Sequence, residues 1–209
     1  MRRQGDHLLS EEPYNPLDKR NLAESTANTL LARPVSPLPP TATFTGAGIY
    51  AIYYVGEFPA YAAIAARNRG GLFQTPIYVG KAVPPGARKG GYGLGESPGR
   101  VLFQRLREHA GSIQQTKNLR LEDFFCRYLV TDDIWIPLAE ALLIERFKPV
   151  WNHLIDGFGI HDPGKGRRKQ ECSKWDTIHP GRPFVERQRR NRRTAKEIIA
   201  TLDAQLRGK

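Results

Sequence analysis

Cysteine and long hydrophobic runs are scarce in this chain of 209 residues, and each scarcity excludes a class of protein. Two cysteines, Cys126 and Cys172, are too few for a disulfide scaffold. They form no C-x-x-C pair, which excludes a zinc knuckle built on cysteines. The longest apolar stretch, Gly48 to Val55, is far shorter than the roughly 18 residues of a membrane helix. No hydrophobic run follows the N-terminal Met-Arg-Arg, so we expect no secretory signal, no membrane partner and a cytoplasmic location.

The positive charge of the chain is large and unevenly placed. Thirty-two Lys and Arg against 21 Asp and Glu give a net charge of +11. Residues 164–209 carry +9 of it, from 14 basic and 5 acidic side chains. Such a balance favours a polyanionic partner, with nucleic acid first, and the alternative is a solubilising tail. Three Trp, eight Tyr and nine Phe indicate that most of the chain folds.

The composition along the chain predicts one domain with an extension on each side. Residues 1–43 form an N-terminal arm, with a helix over 18–32 and a proline-rich linker. Residues 44–158 form the core. Residues 159–209 form a basic extension that ends in one long helix over 185–206.

The core is predicted to be a small α+β sandwich, a three-stranded antiparallel sheet flanked by helices. Its β-rich segments are rich in Ile, Val, Tyr and Phe, and its helical segments begin near Pro or Asp. In chain order the elements are a strand at 49–55, a short helix at 59–67, a strand at 76–80, a helix at about 99–110, a strand at 124–130 and a helix at about 135–147.

An ordered set of motif residues lies on these core elements. In chain order it is Gly48-Ile49-Tyr50, Tyr78-Val79-Gly80-Lys81, Arg105, His109, Glu140 and Asn152. The set as a whole, over about residues 46–158, resembles the GIY-YIG nuclease superfamily. That resemblance implies cleavage of phosphodiesters with one divalent metal, Mg²⁺, for which Mn²⁺ can substitute.

Glu140 is the metal ligand that the resemblance implies. One carboxylate is sufficient, because phosphate and water fill the rest of a Mg²⁺ shell. Glu145 is the nearest rival, but it lies roughly 140° further around the helix. The structural alternative is a helix N-terminal Glu stabilised by the helix dipole.

Arg105 and two tyrosines are the next candidates. The guanidinium of Arg105 would contact the scissile phosphate, unless it is an ordinary surface arginine. The resemblance implies that Tyr50 acts on the attacking water and that Tyr78 positions water or phosphate. Because a free phenol has a pKa near 10, Tyr50 needs a nearby cation, either Lys81 or the metal. The alternative for both tyrosines is a place in the core with a satisfied hydroxyl.

His109 and Asn152 complete the candidate catalytic set. His109 lies one turn after Arg105 and could bond to Tyr50, relay a proton or contact phosphate, or be purely structural. The sequence leaves open whether Tyr50 or His109 is the general base. The resemblance implies that Asn152 supports the site by hydrogen bonds.

One feature departs from the GIY-YIG pattern, and another imitates an unrelated motif. Twenty-three residues separate Lys81 from Arg105, more than in compact members, and so long a loop is usually functional or disordered. Gly159-x-x-x-x-Gly164-Lys165 imitates a nucleotide-binding P-loop, but Gly166 stands where Ser or Thr should bind the metal.

The size of the chain indicates which kind of nuclease it is. A nuclease core with two short arms resembles the compact type II restriction endonucleases that cut the palindrome CCGCGG. That resemblance implies a bacterial cytoplasmic enzyme that leaves 5′-phosphate and 3′-hydroxyl ends, and a cognate DNA methyltransferase. Since one site cuts one strand, we expect a two-fold homodimer on double-stranded DNA. The alternatives are a non-catalytic nucleic-acid-binding protein and a structure-specific repair nuclease.

Basic residues in two loops and near one helix start are the candidates for DNA binding. Arginines suit guanine in the major groove and lysines suit phosphate, and the alternative for each is a solvated charge. The candidates are Arg88, Lys89, Arg100, Lys165, Arg167, Arg168 and Lys169. The stretch from Arg187 to Arg193 is expected to add backbone affinity.

Overall fold

The computed structural model of the chain describes residues 14–84, 97–160 and 170–207. Within them lie four strands, namely β1 (Ser36–Pro37), β2 (Gly48–Tyr54), β3 (Tyr78–Ala82) and β4 (Phe124–Val130). The helices of the same residues are α1 (Lys19–Ala32), α2 (Ala62–Asn68), α3 (Val101–Gln114), α4 (Ile136–Phe147), α5 (Val150–His153), α6 (Lys174–Ile178) and α7 (Ala195–Arg207).

The strands form one antiparallel sheet in the order β1-β4-β2-β3. The prediction of an antiparallel sheet with flanking helices is confirmed. The sheet has a fourth strand that was not predicted, because Ser36 and Pro37 of the proline-rich linker pair with Cys126 and Phe125. Proline cannot donate to a ladder, and it is tolerated here because β1 is an edge strand.

The central strand β2 is buried at all seven positions because both of its faces are covered. Alternate residues point to opposite faces of a strand. One face packs against α3 and the C-terminal helices, and the other packs against α1 and α4. The first face carries Tyr50, Ile52 and Tyr54, and the second carries Ile49, Ala51 and Tyr53.

The N-terminal helix α1 packs on α4. The side chain of Asp18 caps α1 by accepting from the backbone N–H of Arg20 at 2.8 Å. Ala27 and Leu30 are fully buried in the cluster that also contains Leu143 of α4. The domain boundaries at residues 43 and 158 stay predictions.

The C-terminal segment is not the one long helix predicted over 185–206. A 3₁₀ turn at Pro183–Arg187 is followed by irregular chain, and only then by α7. The backbone of Arg189 instead pairs with the segment around residue 171, since its carbonyl accepts from Cys172 at 2.7 Å. A capping box then starts α7. Glu197 accepts from the N–H of Thr194 at 2.7 Å, and Thr194 Oγ1 accepts from the N–H of Glu197.

Both cysteines are buried as free thiols. Across the described ranges, no helix has the length and apolar character needed to span a bilayer.

Candidate active site

Two glycines of the motif allow close packing on the neighbouring strands. Gly80 leaves room for the Tyr50 side chain, and Gly48 leaves room for the backbone of β4. A side chain on Gly80 would overlap the ring and hydroxyl of Tyr50, since an added Cβ would lie 2.6 Å from Tyr50 Cζ. A side chain on Gly48 would collide with the carbonyl oxygen of Leu129 on β4. Both positions therefore require glycine for packing, which is a physical reason for the motif.

Tyr50 and His109 form a buried hydrogen-bonded pair on the α3 face of the sheet. Tyr50 Oη lies 2.6 Å from His109 Nε2, and the two residues are 0% and 1% exposed. Phe158 stacks on a face of the imidazole ring, with ring centroids 4.5 Å apart and an angle of 16° between the planes. The Tyr78 ring lies 5.3 Å from His109. The imidazole is thus fixed by aromatic rings and faces the Tyr50 hydroxyl.

The Tyr50 hydroxyl is held in its protonated form. Burial raises its pKa well above the ordinary value, the nearby Tyr78 adds to this, and Arg105 opposes it by charge and by a hydrogen bond. Burial likewise raises the pKa of Tyr78. A buried phenol in this state can pass a proton along, but it is not a standing phenolate.

The cation beside Tyr50 is Arg105. Lys81, which was predicted as a candidate for that position, pairs with Glu140 instead. The reason is strand geometry, because residues three apart on a strand point to opposite faces. Tyr78 shares the face of Tyr50, so Lys81 lies on the other.

Arg105 connects several parts of the site. Its Nη2 donates to the carbonyl of Gly159 at 3.0 Å, and its Nη1 pairs with Glu108 at 3.1 Å. Its side chain is 24% exposed, and that of Glu108 is 48% exposed. Such a half-exposed ion pair contributes about 0–1 kcal/mol, so an incoming phosphate can displace Glu108.

Lys81 and Glu140 lie at the β3 edge of the sheet. Lys81 Nζ is 2.6 Å from Glu140 Oε2, and the Glu140 side chain is 17% exposed. Glu140 lies near enough to both motif tyrosines for its charge to contribute to their raised pKa values. Glu145, its rival by sequence, is exposed.

The donor set around Glu140 suits a metal that brings its own ligands. The described ranges contain no group of three or more His, Cys, Asp or Glu side chains that could enclose an ion. Glu140 offers one carboxylate, with Lys81 on one of its oxygens. Mg²⁺ keeps several waters and takes phosphate oxygens, so these residues fit Mg²⁺ bound together with DNA.

Asn152 on α5 holds the outer edge of β3. Its side chain accepts from the backbone N–H of Val79 at 2.8 Å and donates to the Val79 carbonyl at 2.8 Å. These two bonds satisfy backbone groups that a free sheet edge leaves open. Tyr78 and Gly80 flank Val79, so Asn152 sets the position of the strand that carries the motif.

The structure also places residues in the site that the sequence analysis missed. Phe158 stacks on His109. Arg105 bonds to the carbonyl of Gly159 and pairs with the carboxylate of Glu108. Arg182 holds the turn that carries Phe158 and Gly159. No local signal could have identified Phe158 or Arg182, because their contacts bridge distant parts of the chain. Gly159 was noticed only as part of the false P-loop.

Of the candidate DNA-binding residues, the structure describes one. Arg100 is exposed and directly precedes α3. The others lie outside the described residues, and they are Arg88, Lys89, Lys165, Arg167, Arg168 and Lys169.

The antiparallel sheet, with the two motif tyrosines beside His109, Arg105 and Glu140, defines the class as a GIY-YIG nuclease. The family model described as the Eco29kI GIY-YIG domain matches residues 42–206. The chain belongs to this family of restriction endonucleases. No curated protein matches the sequence.

Proposed function

We propose that this protein is a type II restriction endonuclease that hydrolyses one phosphodiester in each strand of a GC-rich palindrome, in the presence of Mg²⁺ or Mn²⁺. The observation that supports this best is the hydrogen-bonded Tyr50–His109 pair, with Arg105 beside it and Glu140 near enough for its charge to raise the pKa of Tyr50. The proposed products carry 5′-phosphate and 3′-hydroxyl ends. CCGCGG is the proposed site, from the resemblance to enzymes that cut it.

The proposed proton route runs from the attacking water through two tyrosines to the histidine. Tyr50 is fully buried, whereas Tyr78 is partly exposed and its ring centroid lies 6.2 Å from that of Tyr50. The water gives its proton to Tyr78 Oη, Tyr78 passes its own to Tyr50, and Tyr50 passes its own to His109 Nε2. Each tyrosine ends neutral and His109 ends as the imidazolium. No standing phenolate is required, in agreement with the raised pKa values of both phenols.

Arg105 is proposed to stabilise the charge that develops on the phosphate. Its guanidinium is half-buried, already oriented by the Gly159 carbonyl, and paired on its exposed side with Glu108. Exchange of Glu108 for a phosphate oxygen leaves the rest of its contacts in place. A preorganised cation of this kind stabilises the transition state without reorganising during the reaction.

Glu140 is proposed to hold the metal together with water and phosphate. A Mg²⁺ bound there supplies Lewis-acid stabilisation of the phosphate and of the leaving oxygen. Lys81 neutralises the carboxylate, so a metal held by Glu140 would have to compete with the Lys81 ammonium for it.

Two copies of this site are needed to cut both strands of a palindrome. A two-fold homodimer on the DNA supplies them. A restriction enzyme further implies a cognate methyltransferase in the cell and a cytoplasmic location in a bacterium.

Digestion of an unmethylated plasmid tests this function. The purified protein with Mg²⁺ should give discrete fragments, and EDTA or the variant Glu140→Ala should abolish them. Glu145→Ala is the matched control, because it removes a carboxylate from the same helix outside the site, and it should cut normally. Binding without cutting would point to a non-catalytic DNA-binding protein, and cutting of flaps or junctions alone would point to a repair nuclease.

A further inference from the structure

Arg182 is the most deeply buried arginine among the described residues, and it lies in the basic C-terminal extension. Its side chain is 1% exposed, so it cannot serve as a DNA contact like the exposed arginines after it. It lies between two aromatic rings, with its Cζ 4.7 Å from the centroid of Trp175 and 4.8 Å from that of Phe184. Its role must therefore be sought inside the protein.

The guanidinium of Arg182 uses all five of its N–H donors. Two of them form a forked ion pair with Asp176, with both N–O distances at 2.6 Å. The others donate to three backbone carbonyls of a single turn. These are Gly157 at 2.9 Å, Phe158 at 3.3 Å and Ile160 at 2.7 Å. Only the planar fork of arginine can satisfy this arrangement, because lysine has one donor nitrogen.

The turn that Arg182 holds forms one wall of the active site. Phe158 stacks on His109, and the carbonyl of Gly159 accepts from Arg105. Gly159 is also in close contact with Tyr78, since an added Cβ would lie 3.0 Å from the Tyr78 hydroxyl. A shift of the turn would therefore move His109 and Arg105 together.

We propose that Arg182 is a positioning residue for DNA cleavage, acting through the turn 157–160 on His109 and Arg105. The proposal rests on the nuclease function proposed above. It assigns the C-terminal extension a part in building the active site, in addition to any contact with DNA.

The test compares Arg182→Lys with Arg127→Lys. Arg127 is the matched control, because it also donates to two backbone carbonyls, of Arg33 and Phe73, and to the hydroxyl of Tyr53 on the opposite face of the sheet. Single-turnover cleavage and DNA affinity are measured well below the unfolding midpoint of each variant. Arg182→Lys should lower the cleavage rate constant roughly tenfold to a hundredfold, through misplacement of the site. The rate constant of Arg127→Lys, and the DNA Kd of both variants, should stay within about twofold of wild type.

A spectroscopic measurement separates this proposal from the nuclease function. The Cε1–H resonance of His109, assigned by its loss in His109→Asn, carries the ring-current shift of the stacked Phe158. Arg182→Lys should move it and Arg127→Lys should not, and this holds even if the wild-type protein cuts no duplex. An unmoved resonance would overturn the proposal, as would equal rates in the two variants of a wild type that cuts DNA.

If Arg182→Lys does not fold, Phe158→Leu provides the test. It removes the stacked ring and leaves the ion pair intact. The cleavage rate should fall roughly tenfold with an unchanged DNA Kd, because the imidazole loses its support. A rate within about twofold of wild type would overturn the part of the proposal in which the turn acts on His109.

Discussion

Tyr50 Oη and His109 Nε2 lie 2.6 Å apart, in a pair that is almost completely shielded from solvent. The pair joins β2, the first strand of the motif, to α3 across 59 residues of sequence. Because Arg105 lies near enough to lower the pKa of Tyr50, the tyrosine has a cation nearby as well as a hydrogen-bond partner in His109. This arrangement suits a proton relay.

Removal of the Tyr50 hydroxyl should stop cleavage. We expect Tyr50→Phe and Tyr78→Phe to lower the single-turnover rate by about a hundredfold or more, the usual contribution of a proton-transfer group. Tyr50→Phe should also cost about 1–3 kcal/mol of stability, since His109 loses a buried partner. Tyr53→Phe, on the opposite face of the same strand, is the control and should cut at the wild-type rate.

The pH dependence of cleavage provides a second test of the relay. The raised pKa of Tyr50 keeps its phenol protonated throughout the range in which the enzyme is assayed. The relay needs a neutral His109, so its diagnostic range is alkaline: between about pH 8 and about pH 10, the ordinary tyrosine value, the cleavage rate should not rise in proportion to hydroxide. A tenfold rise per pH unit over that range would contradict the relay and favour a phenolate base.

Asn152→Leu should destabilise the protein and its site together. The substitution leaves the N–H and the carbonyl of Val79 without their partners at the β3 edge. Loss of buried partners of this kind costs about 1–3 kcal/mol, measurable by urea denaturation. Cleavage at low temperature should also slow, because Tyr78 and Gly80 move with the strand. Full activity in a destabilised variant would show that Asn152 is structural only.

Lys81→Met should change the Mg²⁺ requirement more than the stability. The Lys81 side chain is 39% exposed, so loss of its pair with Glu140 should cost no more than about 1 kcal/mol. Without Lys81 as a competitor for the carboxylate, half-maximal cleavage should need less Mg²⁺. A titration with Lys117→Met as the exposed-lysine control measures this. An unchanged Mg²⁺ requirement with a lower maximal rate would instead assign Lys81 to the phosphate.

Acid should destabilise the protein through His179. Trp151 donates to the Tyr61 hydroxyl at 2.9 Å, which leaves the Tyr61 proton for His179 Nε2 at 2.7 Å. Burial lowers the pKa of His179 to about 3. The ordinary value in the unfolded chain is about 6.5. Between those values the unfolded chain binds a proton that the folded chain does not, so the free energy of unfolding falls as the pH falls.

This loss can be measured by urea denaturation at pH 7 and at pH 5.5. We expect His179 to lower the free energy of unfolding by about 1.4 kcal/mol between these pH values. The reason is that pH 5.5 lies about one unit below the pKa of histidine in the unfolded chain, and one unit corresponds to about 1.4 kcal/mol. His179→Gln should reduce the pH dependence by that amount. An equal pH dependence in wild type and variant would mean that His179 is not the group responsible.

The basic stretch after Arg187 should contribute to the salt dependence of DNA binding. Arg190 and Arg193 are exposed, and the backbone between them is held by the bond from Asn191 to the Cys172 carbonyl at 2.7 Å. If each arginine neutralises one phosphate, Arg190→Gln and Arg193→Gln should each lower the log–log salt slope by about 0.9. Arg20→Gln, an exposed arginine on α1, is the control. Unchanged slopes in the C-terminal variants would mean that these charges are only solvated.

Local sequence determined the three longer strands, the helices of the N-terminal arm and of the core up to residue 147, and the family. A run rich in Ile, Tyr and Val predicted β2, and the ordered motif from Gly48 to Asn152 predicted the GIY-YIG core that the family match confirms. The prediction of one long C-terminal helix was wrong because it followed helical periodicity and overlooked the capping box at Thr194, which is visible in the sequence. The two-residue β1 was missed because prolines rarely pair in a sheet.

Tertiary structure decided which side chains meet. The sequence placed Tyr50, His109, Arg105 and Glu140 in order, but their distances depend on how the sheet and helices pack. Strand alternation alone could have shown that Lys81 points away from Tyr50, whereas its pairing with Glu140 required α4 to be in place. The contacts of Arg182 with the turn at 157–160 depend wholly on long-range folding, because a buried ion pair and three carbonyls come together only in the packed chain.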